Sequence, residues 1–174
     1  FGATHTFNGL GQSCTNSTRT IITAVEPGSG STIMAYAGIC NPVNVQYNSD
    51  AYFSMESLRQ IESFVTGDGA CSVDTAIVNT APTIKPLKNY YIPKSTAFVL
   101  EGIATDLEND PLTYCWEQNN NNSSTQPPVS TSVLGPNFRS RMPVSSPKRY
   151  FPPLSDVVQN NLSPEYEVVP SVAR

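Results

Sequence analysis

The chain has 174 residues; 39% are apolar and only 14% are charged, and ten Lys and Arg against fourteen Asp and Glu leave a formal net charge of −4. A coiled coil and a histone-like nucleic-acid binder both need denser charge, so both are excluded and no nucleic-acid partner is expected. Ten glycines and fifteen prolines argue for many turns and against a helical bundle, and no run is long and apolar enough to make a membrane span.

The chain opens Phe1-Gly2-Ala3-Thr4-His5, without an initiator Met or a basic-then-apolar leader, and it closes on Arg174. Both ends read as cuts in a longer protein. Residues 1–49 are rich in glycine and small polar residues and are expected to be mostly irregular. Within them Gly28-Ser29-Gly30-Ser31-Thr32 precedes a short apolar run at 33–37. It lacks the Lys of a phosphate loop and reads as a tight turn.

Residues 54–66 carry the strongest helix signal. Ser54 is placed to cap, Phe53 precedes it as a staple partner, and Glu56 sits in the first turn where the helix dipole favours an acid. Leu58, Ile61 and Val65, with Phe64 beside them, make one apolar stripe, and Gly67 ends the helix. Residues 72–83 read as a linker.

Beyond the linker the pattern changes to short strands. Residues 97–102 and 103–105 read as strands, 106–111 as an acidic turn, and 112–117 as the clearest strand, with Leu112, Tyr114 and Trp116 on one face. Trp116, the one Trp, is expected in a core. Residues 118–128 are low-complexity Asn, Ser, Thr, Gln and Pro and are expected to form a long exposed loop. Residues 129–164 are rich in Pro and Ser with scattered anchors, and 166–169 looks like a last strand.

The four cysteines are Cys14, Cys40, Cys71 and Cys115, and none forms a CxxC pair, which disfavours a zinc ribbon. A local Cys40–Cys71 disulfide is expected, with Cys14 and Cys115 left paired across the chain, paired elsewhere, or free. Low charge with many Thr, Ser, Asn and Tyr suits a secreted, extracellular protein.

One histidine, His5, must serve any site that needs an imidazole, so a Ser/His/Asp arrangement has no support. The surroundings of His5 are informative. Gly2-Ala3-Thr4-His5 resembles the tail of the extended zinc signature H-E-x-x-H-x-x-G-x-x-H of metzincin metallopeptidases, Gly2 matching its glycine and His5 its third histidine. Ser31-Thr32-Ile33-Met34-Ala35-Tyr36-Ala37-Gly38 resembles the Met-turn of the same family, with Met34 as the turn methionine. The order resembles that of secreted bacterial reprolysin-like peptidases. The resemblance implies a zinc ligand at His5, a turn at Gly2 and a supporting floor at Met34. It also implies a ligand or oxyanion role for Tyr36, as in astacin- and serralysin-like members; reprolysin-like members generally do not use a tyrosine so. The other two histidines and the general-base glutamate would lie upstream of Phe1.

Residues 79–117 resemble a cadherin/PKD-type immunoglobulin-like module, whose acidic turn often binds calcium; here the matching positions are Asp106, Glu108 and Asp110. The expected architecture is thus an α+β remnant of a metzincin C-terminal subdomain with one main helix over 1–71, the linker 72–83, and a mainly β immunoglobulin-like sandwich, truncated, over 84–174. The expected function is that of a fragment of a secreted zinc-dependent metalloendopeptidase whose parent cleaves peptide or protein substrates. The chain alone is expected to be inactive, its partner being the missing upstream catalytic subdomain. The alternative is an extracellular β-sandwich binding or spacer module without catalytic activity.

Overall fold

The computed structural model describes residues 2–69, 73 and 75–174. It is a small mixed α+β arrangement with two short antiparallel sheets.

In the first part, Thr6 to Gly9 lie alongside Glu26 to Gly28 in a short parallel pairing: Asn8 N donates to Glu26 O (2.9 Å), Gly9 N to Gly28 O (2.8 Å), and Glu26 N to Thr6 O (2.9 Å). Alternation along this stretch sends Phe7 to a small core with Cys14, Cys40 and Val43, against which Tyr36 packs. Cys14 and Cys40 are joined by a disulfide with their Cα atoms 5.1 Å apart. This corrects the expected Cys40–Cys71 pairing: Cys40 is taken by Cys14, because both approach the Phe7 core, and Cys71 lies outside the described residues. The 28–32 segment is the tight turn expected, with Gly28 and Gly30 at φ 56° and 66°, a region glycine enters without steric cost.

Helix α1 spans Met55–Thr66, with Ser54 Oγ accepting from Ser57 N and Gly67 N closing onto Phe64 O. Its caps are those read from the sequence. Its apolar stripe is not buried as expected: Leu58 is 54% exposed and Val65 46% exposed, whereas Glu56 and Ser57 are buried. The helix is held through its polar side, where Gln60 Oε1 accepts from Thr4 N at 2.8 Å, and through Phe64, which lies close against Gly2.

Farther along the chain, β1 (Thr83–Ile84) pairs antiparallel with β3 (Ala104–Thr105), and β2 (Phe98–Glu101) with β4 (Lys148–Phe151), Phe98 opposite Phe151; β1 begins on the last residue of the expected linker. Phe98, Phe138 and Phe151 form an aromatic core with ring centroids 4.9 to 5.7 Å apart, and the Arg149 guanidinium covers the Phe151 ring at 4.5 Å. A short helix α2, Leu154–Val158, follows β4.

The two sheets do not close into the expected sandwich among the described residues. Residues 112–117 make only one bridge, Tyr114 with Val144, and 166–169 one, Phe138 with Glu167. Trp116 is half-buried, its indole N–H donating to Pro147 O at 3.0 Å, and is not a core residue. The density of Pro between 127 and 153 removes ladder donors, which keeps these pairings short. Contacts cross from one side of the linker to the other: Tyr52 OH with Ser140 Oγ (2.6 Å), Met55 N with Glu117 Oε2 (2.5 Å), and Gly28 N with Gln126 Oε1 (2.7 Å).

Candidate functional site

His5 is half-buried on the face that Phe7 also occupies, with Tyr36 edge-on to its ring at 4.2 Å and stacked on Phe7 at 4.8 Å. Its Nδ1 lies 3.0 Å from the backbone carbonyl of Met34. A carbonyl only accepts, so Nδ1 carries the proton. In the neutral ring Nε2 then keeps its lone pair, the tautomer a metal ligand needs. Met34 thus acts through its carbonyl, which also receives Thr6 N at 3.4 Å.

What fixes the Met34 turn against His5 is a residue the sequence reading passed over. Glu26 is 2% exposed. Its Oε1 accepts from Thr6 Oγ1 (2.8 Å) and from Thr32 Oγ1, and its Oε2 from the backbone N–H of Ser31 (2.7 Å) and Thr32 (3.2 Å). One carboxylate therefore ties the residue after His5 to the two residues leading into the Met34 turn. The signal was an acid set among Ala24, Val25 and Pro27, where a charge has no reason to be unless it is bonded. Gly30 belongs to the same device, since a Cβ there would stand 2.7 Å from Glu26 Oε2.

Of the residues expected at the zinc site, His5, Met34 and Tyr36 are brought together, while Gly2 lies against Phe64 of helix α1. They supply one donor of the kind zinc takes. Among the described residues, no three His, Cys, Asp or Glu side chains converge on a point where a metal ion would sit. The residues present do not fit a complete zinc site.

The acidic turn differs from the expected calcium loop. Asp106 Oδ1 accepts from the backbone N–H of Glu108 and Asp110, each at 3.0 Å, and Glu108 Oε1 accepts from Thr80 Oγ1 at 2.8 Å. Asn109 takes the left-handed conformation at φ 62° that such a turn requires. These bonds run within the turn and to Thr80, and among the described residues Asp106, Glu108 and Asp110 are not gathered into a group that could hold a metal ion.

A polar cluster elsewhere was not foreseen. Glu117 accepts from Met55 N and from Ser140 Oγ, and burial raises its carboxyl above the usual range. Beside it the Cys115 thiol is pushed up to about 11, by burial first and by the Glu117 charge second.

A family profile described as metallo-peptidase family M12B, Reprolysin-like, matches residues 1–64. No curated protein matches the chain, and no solved structure matches it. Among the described residues no helix is long and apolar enough to cross a membrane. The Cys14–Cys40 disulfide is consistent with an oxidising, extracellular setting.

Proposed function

We propose that residues 1–71 are the third-histidine and Met-turn part of a secreted reprolysin-like zinc metalloendopeptidase, and that the 174-residue chain is non-catalytic by itself. The carrying observation is the His5 Nδ1 contact with Met34 O, which leaves Nε2 as the free donor. The profile match over residues 1–64 supports the same reading. A chain with one histidine cannot contain H-E-x-x-H. One imidazole does not hold zinc tightly, so the remaining ligands and the general base belong to a complementary part, and no hydrolytic step belongs to this chain alone.

The single donor also favours a second reading: an extracellular binding or spacer module with no catalytic role.

The test is metal content and casein cleavage for the 174-residue chain, for the chain extended upstream along its gene, and for His5→Ala in the extended form. The expected result is neither zinc nor cleavage for the short chain, about one zinc and cleavage for the long one, and loss of both in the variant. An extended form without zinc, or a variant that keeps it, overturns the peptidase reading and leaves the module. Cleavage by the short chain overturns the claim that it is inactive alone.

A further inference from the structure

We propose that residues 117–126, with Ser140 and Tyr166, form a strap that docks on the back of the His5-bearing strand, and that this docking rather than the linker holds the two halves of the chain together. The proposal does not depend on the metallopeptidase reading.

The alternation that sends His5 and Phe7 to the front sends Thr6 and Asn8 to the back, where both are fully buried. Asn8 meets four partners: its Nδ2 donates to Ala24 O (2.8 Å) and Asn122 O (2.9 Å), and its Oδ1 accepts from Ser124 N (3.1 Å) and Ser124 Oγ (3.4 Å). Three of the four come from the strap. Asn121 Nδ2 donates to Ile22 O at 2.7 Å, and Gln126 Oε1 accepts from Gly28 N at 2.7 Å. Side chains and backbone of the polar run therefore satisfy groups that would otherwise be exposed on the open edge of residues 6–9 and 22–28. The run has the composition of a loop, but its amides and hydroxyls both donate and accept, which is what an edge of mixed N–H and C=O groups requires.

Further contacts seat the strap. Glu117 reaches the N-terminus of helix α1, where Met55 N has no partner within the helix, and Ser140 Oγ links Glu117 to Tyr52. Tyr166 lies against Gly28, where a Cβ would approach its ring to 2.4 Å. By contrast, residues 75–82 are exposed throughout.

The experiment places a protease recognition sequence at residues 75–79 of the full chain, in a Cys115→Ser background so that no cross-link through Cys115 joins the products. After complete cleavage the two pieces are expected to co-elute at the mass of the intact monomer and to melt in one transition. Separation of the pieces overturns the proposal, and so does an intact chain that elutes as a dimer, which would mean docking between copies. Gln126→Ala, on the strap itself, and Asn8→Ala, on its seat, are each expected to raise the dissociation constant of the nicked pieces by about tenfold or more. Asn119→Ala, on a strap residue with no bond to the first half, is expected to leave it unchanged. Pieces that stay together with unaltered affinity in both Gln126→Ala and Asn8→Ala would show that the polar run is not the docking element.

Discussion

Replacing Glu26 should be among the most costly single changes in the first half of the chain. In Glu26→Ala the backbone N–H groups of Ser31 and Thr32 lose their acceptor, and the hydroxyls of Thr6 and Thr32 lose theirs, all in a region closed to water. A buried donor left without a partner costs ~1–3 kcal/mol. Counting only the two amides, which cannot turn elsewhere, gives a loss of about 4 kcal/mol, a large part of the ~5–15 kcal/mol that holds an ordinary domain folded. Glu26→Gln behaves differently. Its amide oxygen can face the two N–H groups while its NH2 faces the hydroxyls, which accept as readily as they donate. It also removes a buried charge, so it is expected within about 1 kcal/mol of the parent. Urea unfolding followed by far-UV circular dichroism measures both. The ratio of the two His5 ring tautomers by nitrogen NMR then reports whether the Met34 carbonyl still holds Nδ1. A Glu26→Ala loss below about 1 kcal/mol, or a Gln variant as damaged as the Ala variant, would refute the clamp.

Three further outcomes follow from the same geometry. Cys14 and Cys40 close a loop across a sequence separation of 26, so reduction or Cys14→Ser is expected to cost about 3–4 kcal/mol, read as a fall in thermal midpoint. Gly28→Ala would force a Cβ against Tyr166 and against Val43 O at 2.6 Å from a left-handed backbone; it should destabilise clearly in the parent and less in a Tyr166→Ala background, a coupling that a double-mutant cycle measures. Burial raises the Glu117 carboxyl in the folded state, so the native chain binds its proton more tightly than the unfolded chain does. That contribution to stability is full below the ordinary carboxylate range and is lost as pH rises through the raised value. Glu117→Gln should therefore flatten the thermal midpoint across that window, and an unchanged pH profile would refute the assignment.

Local chemistry was legible in the sequence wherever one residue type settles the conformation. Ser54, Glu56 and Gly67 bounded helix α1 because capping depends on neighbours a few residues apart. The 28–32 turn was legible for the same reason. Gly2, His5, Met34 and Tyr36 stood out as a set by their order; His5 meets the Met34 carbonyl and the Tyr36 ring, and Gly2 lies against Phe64. The pairing of Cys40 was misread because a disulfide follows spatial approach, and the fold brings Cys14 and Cys40 together beside Phe7.

Period-two alternation misled in the second half. Residues 112–117 alternate like a strand, yet a strand needs a partner, and Tyr114 finds only Val144. The Asn-rich run reads as solvated loop because its side chains prefer water to an apolar core. Only the fold reveals that residues 6–9 and 22–28 present a polar edge for it to satisfy.

What the sequence determined by itself is therefore the helix with its caps, the tight turns, the Met34 turn and the single imidazole, all of them set by short-range stereochemistry or by residue identity. Tertiary structure alone decided that Glu26 ties Thr6 to the Met34 turn, that Glu108 accepts from Thr80, that Asn8 meets Asn122 and Ser124, and that Gly28 meets Gln126. These are bonds between residues distant in sequence, and a polar group reveals its partner only when the chain has brought the two together.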